Sequence, residues 1–315
     1  MNLFSAFIRL IRYPNLFFIA LTQVLFYFCV VVQQNNNNPG STVTLTVPML
    51  ILLIAASVLI AGAGYVINDY FDLNIDRINK PERLVVEKLI KRRWAILWHL
   101  CLSAAGLVIS FYLSWKTRNP IIGIFNLLAV FLLWFYSTNF KRQLLIGNVV
   151  ISLLTACVVL VLYVCEARFN LSDLPAPQVS YLTSIYKLAV VYGGFAFIIS
   201  LIREVVKDIE DMEGDMKYNC KTLPVVWGMP SSKLFIAVWL IVLIGAIVIL
   251  QIYAFQLQWW WMIIYNLILI IIPLLVIMKF LVAAKTSKDF GKISAMIKGV
   301  MLAGIISMLF FKYYY

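Results

Sequence analysis

Apolar residues in this chain come in long runs rather than alternating with polar ones. A bilayer core about 30 Å thick needs roughly 20 apolar residues at about 1.5 Å rise each. Nine stretches meet or approach that length: Leu16–Val32, Val43–Ile67, Trp94–Trp115, Ile121–Ser137, Leu144–Cys165, Leu188–Leu201, Leu234–Phe255, Trp259–Met278 and Met296–Phe311. The sixth is short and runs straight into charged residues. The pattern predicts an all-α membrane protein, a bundle of about nine transmembrane helices, with residues 1–315 forming a single polytopic domain.

The segments between the runs are very unequal. Gln33–Ser41 is a polar, uncharged turn of low complexity, and Gln256–Gln258 is a tight uncharged link. Two others, Asn68–Arg93 and Arg203–Lys233, are long and dense with charge, and each continues an even-numbered run. They predict extramembrane helices that cap one end of the bundle.

Composition sharpens this reading. The chain is 63% hydrophobic and only 13% charged, about half the charged fraction usual for a soluble domain. A net charge of +12 would suit nucleic acid, but its distribution excludes that reading. With the amino terminus and every second loop on one side, that side collects 21 of the 26 basic residues. Such asymmetry follows the positive-inside rule and predicts a cytoplasmic amino terminus. The expected location is a prokaryotic plasma (inner) membrane, with the polar chemistry facing the cytoplasm. Five scattered cysteines form no CxxC pair, so neither a metal site nor a disulfide framework is expected. No small-x-small pattern follows the first run, which reads as a retained helix.

Nine of the 14 acidic residues fall in two segments. In the first, Asn68, Asp72 and Asp76 stand at i, i+4 and i+8. They advance only about 40° per step and form one stripe of a helix. In the second, Asp208, Asp211 and Asp215 stand at i, i+3 and i+7, again on one face. Stacked like charges at the end of a membrane span are costly unless something compensates them. Oxygen ligands without His or Cys suit a hard cation, and Mg²⁺ typically takes one or two carboxylates plus substrate phosphates. Two facing stripes could therefore clamp a diphosphate through Mg²⁺.

The segment NDYFDLNIDRINKPER resembles the NDxxDxxxD motif of the UbiA superfamily of intramembrane prenyltransferases. REVVKDIEDMEGDMKYNCKTLPVVWG resembles that superfamily's second motif, and its first half is similar to the digeranylgeranylglyceryl-phosphate synthase branch. Arg12-Tyr13-Pro14-Asn15 and Lys141 followed by Gly147-Asn148 fit the same pattern. The resemblance implies that Asn68, Asp72, Asp211 and Asp215 bind Mg²⁺, with Asp76 and Asp208 supporting or bridging the metals. Asp72, Asp76, Asp208 and Asp211 would form the catalytic set. Arg83, Lys141, Lys207, Lys221 and Asn148 would contact the diphosphate. One departure concerns the cap. Relatives often continue Arg-Pro-x-Pro-Ser-Gly, whereas this chain reads Arg83-Leu84-Val85-Val86-Glu87-Lys88.

The reaction so implied moves a prenyl group from a polyprenyl diphosphate to a lipid-soluble acceptor such as geranylgeranylglyceryl phosphate. An aromatic acceptor (4-hydroxybenzoate, dihydroxynaphthoate or haem) is the alternative. An ion-coupled transporter would need carboxylates deep in several runs, and the acids here lie at helix ends. Other tempting residues take plainer readings. His99 reads as packing beside Trp98. Trp259-Trp260-Trp261 and Tyr313-Tyr314-Tyr315 read as interfacial anchors. Gly62 and Gly64 read as sites of close helix approach.

Overall fold

The computed structural model describes residues 3–79, 86, 90–167 and 174–314. Two short helices, α1 (Leu3–Leu10) and α8 (Met212–Lys217), accompany nine long ones. The long helices are α2 (Tyr13–Asn36), α3 (Val47–Asn79), α4 (Arg92–Thr117), α5 (Ile121–Thr138), α6 (Ile146–Glu166), α7 (Ala176–Glu210), α9 (Leu223–Gln256), α10 (Trp260–Ala283) and α11 (Ser287–Tyr314). Among the described residues these nine are long and apolar enough to cross a membrane. The sequence-based count is thus borne out.

Three helices are much longer than their apolar runs. Helix α3 continues twelve residues past Ile67 because its outer turns still bury Leu73 and Ile75. Leu73 packs in a small cluster with Ala6 and Leu10 of α1 and Ala95 of α4. The sixth run, expected to be short, belongs to a 35-residue helix. Helix α9 starts eleven residues before Leu234 and is kinked at Gly228, where φ is 79° and Pro230 follows. Of the polar Gln33–Ser41 turn, the first four residues are helical and complete α2.

Helices α2, α3, α5, α6, α7 and α11 form a ring in which each packs on the next and α11 returns to α2. Helix α4 lies outside on α3, and α9 and α10 lie outside on α7 and α11. The lipid-facing exteriors are apolar, as on α9 at Leu234, Ile241 and Ile249. At one end of the ring, α8 lies between the ends of α3 and α7. It is a short cap from the second charged loop. Arg83, expected in a cap from the first loop, lies outside the described residues.

Several side expectations resolve here. All five cysteines are free. Buried His99 donates one hydrogen bond from Nδ1 to the Ala63 carbonyl, 3.0 Å away, and rests 5.3 Å from the Trp134 ring. That is a packing role. A Cβ on Gly64 would sit 2.9 Å from Leu133, so α3 and α5 approach closely there. Trp260 and Trp261 are exposed as anchors should be, but Trp259 is buried and stacked on Tyr314 at 4.9 Å. The aromatic run turned one ring inward because α10 starts there against the end of α11.

Candidate active site

The first acidic stripe is intact. Asn68 and Asp72 are buried and Asp76 is half-buried, all on α3. Asn68 donates from Nδ2 to Asp72 Oδ2 at 2.6 Å. Lys141 donates to the same oxygen. Lys141 comes from a single 3₁₀ turn, Phe140–Arg142, between α5 and α6. The turn folds directly onto the start of α6, because a Cβ at Gly147 would fall 2.9 Å from Lys141 Cα and the Phe140 carbonyl. Burial disfavours the Lys141 ammonium, but Asp72, Tyr136 and Asp76 outweigh it and raise its pKa. A cation thus already occupies the position where the stripe needs one.

Asp69 faces elsewhere. It accepts from Arg12 at 2.6 Å, and the Arg12 guanidinium lies 5.3 Å from the Tyr65 ring centre. Asp69 holds the Arg12 pKa well above its ordinary value against the opposing effect of burial.

The second motif corrects the expected geometry. Asp208, Asp211 and Asp215 do not share one continuous helix, because α7 ends at Glu210 and Asp211 has φ −97° and ψ 6°. Glycine is a poor helix former. With Gly214 four residues past the end of α7, the chain restarts as the short α8. Asp208 on α7 accepts from Asn148 Nδ2 at 2.8 Å. Asp215 is buried in α8 and accepts from the Thr222 hydroxyl at 3.2 Å. Burial pushes the Asp215 carboxyl up to about 6, with Lys141 opposing and Asp211 and Asp72 adding to the rise. Residues from both motifs therefore converge electrostatically around Lys141.

Two of the expected diphosphate contacts are Lys207 and Lys221. Lys207 donates to Glu204 at 2.8 Å, and Arg203 donates to the same carboxylate oxygen at 3.0 Å. Lys221 is exposed, and its amide donates to the Arg142 carbonyl at 2.9 Å.

A cavity runs from this end into the ring. Its polar part holds Arg12, Asn68, Tyr136, Arg203, Lys207 and Lys298. Its walls are apolar, with Phe18, Ile60, Leu133, Leu154, Val158 and Met301. A second, deeper chamber shares Phe18, Val158 and Met301 and continues to Tyr192, Phe195 and Met308. Asp72 lies one helical turn outward from Asn68, so the carboxylates stand at the mouth of the cavity. Sequence reasoning missed Tyr136, Thr222 and Lys298. Lys298 sits within α11, near the start of the ninth apolar run, and only its isolation in an apolar stretch marks it.

The donor set accords with a hard cation completed by its substrate. Among the described residues, no three of His, Cys, Asp or Glu form a metal cage by themselves. Buried Asn68 Oδ1 accepts no hydrogen bond among the described residues. An oxygen-only set with an orphaned buried acceptor suits Mg²⁺ that takes its remaining ligands from phosphates.

Three comparisons bear on this arrangement. The digeranylgeranylglyceryl phosphate synthase of Methanosphaera stadtmanae is 32% identical over 171 residues, which cover 54% of this chain and 55% of that protein. The match spans about half the length of such curated relatives. A solved structure described as giving insights into digeranylgeranylglyceryl phosphate synthase in membranes is 26% identical, with a TM-score of 0.60 over 98% of this chain and 99% of that one. A UbiA homologue from Archaeoglobus fulgidus, solved with DMAPP and Mg²⁺, shares the fold at 17% identity and a TM-score of 0.57, covering 96% and 99% of the two chains. The family model for UbiA prenyltransferases matches residues 16–297, nearly the whole ring with both acidic motifs in place, and the chain belongs to the UbiA prenyltransferase family.

Proposed function

We propose that this prenyltransferase moves a prenyl group from a polyprenyl diphosphate to geranylgeranylglyceryl phosphate, with Mg²⁺ as cofactor and its motif-bearing end facing the cytoplasm. The observation that carries the reading is the meeting of both acidic motifs at the mouth of an apolar cavity, where Lys141 bonds Asp72, Asn79 bonds Asp211 and Gly214, and the Lys221 amide bonds the turn that carries Lys141. Asn68 and Asp72 on one side, and Asp211 and Asp215 on the other, would hold the metal. Bound Mg²⁺ supplies positive charge to the diphosphate as the allylic C–O bond breaks.

The chain's own residues divide the remaining work. Lys141 adds a fixed cation beside the leaving group, and Asn148 orients Asp208. Asp76 sits one turn outside Asp72 and contributes further negative charge for the cation. Lys221 and Arg83 remain candidates for the outer face of the diphosphate. The apolar walls house the isoprenoid and keep water from an electron-poor allylic carbon.

The acceptor assignment draws on the names of the relatives and on a second group of cations. Arg203, Lys207 and Lys298 line the cavity on α7 and α11, apart from Lys141. Glu204 pairs with the first two and holds them in place. A phosphate-bearing acceptor needs such donors beyond those serving the diphosphate. The test is incubation of purified protein with Mg²⁺, geranylgeranyl diphosphate and one acceptor at a time, with lipid products identified by mass. Product is expected from geranylgeranylglyceryl phosphate. Product only from 4-hydroxybenzoate or a naphthoate would overturn the acceptor and leave the family membership intact.

A further inference from the structure

The carboxamide of Asn79, the last residue of α3, reaches across to the second motif. Its Nδ2 donates to the Asp211 carbonyl at 2.9 Å, and its Oδ1 accepts from the Gly214 amide at 2.9 Å. Counting Asp211 as the residue that starts α8, Gly214 is the third residue in. Its amide is one of those a helix start leaves without an internal partner. Ordinarily the starting residue's own side chain takes that amide, and Asp is among the best at doing so. Here Asp211 makes no side-chain capping hydrogen bond. The cap comes from a different helix.

We infer that Asn79 caps α8 in place of Asp211 and so keeps the Asp211 carboxylate turned toward the opposing stripe as a metal ligand. The inference rests on the metal reading proposed above. Asn79 lies eleven residues after Asn68, a spacing that returns to about the same helix face at about 100° per residue. It therefore extends the Asn68–Asp72–Asp76 stripe by one turn and links the two motifs directly. Gly214 is the complementary half. A Cβ there would lie 2.5 Å from both amide atoms of Asn79, so only glycine admits this contact. On this reading Asn79 is a positioning residue, acting through Asp211 rather than on the substrate.

The test uses the full-length protein in detergent and Mn²⁺ alone as the probe, read by electron paramagnetic resonance. In Asn79→Ala the Asp211 side chain can take over the Gly214 amide. The helix start then survives while the metal loses a ligand. Mn²⁺ affinity is expected to fall about tenfold or more, with little change in melting temperature. Gly214→Ala displaces the Asn79 amide and should reproduce the loss, and the double variant should be no weaker than either single one. Wild-type Mn²⁺ affinity in both single variants overturns the inference, as does a loss of stability without a loss of affinity. Should Asn79→Ala fail to fold, Asn79→Asp, which keeps the acceptor for the Gly214 amide, decides: affinity within about threefold of wild type supports the capping role, and a tenfold loss overturns it. Absence of Mn²⁺ binding by the wild-type protein would sink the metal reading itself, an outcome distinct from all of these.

Discussion

Asp72 is buried, yet it is held by two donors, Asn68 and Lys141, on one carboxylate oxygen. Removing only one member of such a group leaves its partner exposed to the cost of burial. Lys141→Met should therefore lower stability by on the order of 1–3 kcal/mol, since the Lys141 side chain retains 30% exposure and some of its charge is solvated. Asp72→Asn added to it should recover most of that loss, because no charge then remains to be matched. Turnover behaves differently. Asp72→Asn keeps the shape of the side chain and removes the charge, so turnover should fall on the order of a thousandfold or more with the fold intact. Melting curves of the two single variants and the double variant, set beside product formation, check both statements. Near-normal turnover in Asp72→Asn would remove this carboxylate from the metal site.

Helix continuation is where sequence and structure part company. A hydropathy run ends where charges begin, but α3 and α7 pass through that boundary into their motifs without a break. The first stripe was legible, because i, i+4 and i+8 survive in an unbroken helix. The second was legible in its residues but not in its geometry. The restarted helix is bonded to Asn79, a contact 132 positions away in sequence, which no local spacing encodes. Arg203 and Lys207 were read as loop charges because a charge count treats every cation near the end of a run as outside it. At the opposite end of the bundle, Glu166 at the end of α6 shows another long-range tie. It is fully buried and accepts from the Thr44 and Leu45 amides at 2.8 and 2.9 Å, and from the Tyr181 hydroxyl at 3.1 Å. It thereby fixes the α2–α3 connection to α6 and α7. Glu166→Ala strands those donors, each at about 1–3 kcal/mol, and melting in detergent should shift down markedly. Because Glu166 lies at the far end from the motifs, turnover at a permissive temperature should stay within about twofold of wild type. A selective loss of turnover at unchanged stability would mean that the far end reaches the chemistry.

The whole molecule is polarised along the bundle axis. At one end stand the acidic motifs, Lys141, Arg12 and the charged segments around them. At the other stand Glu166, the uncharged Gln256–Gln258 link and the polar connection after Asn36. Nine crossings, with Arg12 bonded to Asp69 just before the first of them, place the start of α2 and both motifs at the same end of the ring. The count of basic residues by loop in the sequence, 21 against five, has the same sense. Arg203 and Lys207 lie within α7 and Lys298 within α11 rather than in loops, and leaving these three out still gives 18 against five. The proposed orientation, with the motif end toward the cytoplasm, is what the positive-inside rule expects of this asymmetry. Single cysteines test this in a background where the five native ones are replaced. Lys217→Cys, on exposed α8, and Asn74→Cys, on the exposed face of α3, should react with a membrane-impermeant maleimide only after the cells are opened. Asn37→Cys, in the exposed turn after α2, should react in intact cells. Labelling of positions 74 and 217 from opposite faces would separate the two motifs and remove the basis for a shared diphosphate site. Labelling of both in intact cells would keep the site but invert it, and the prenyl diphosphate would then have to arrive from outside.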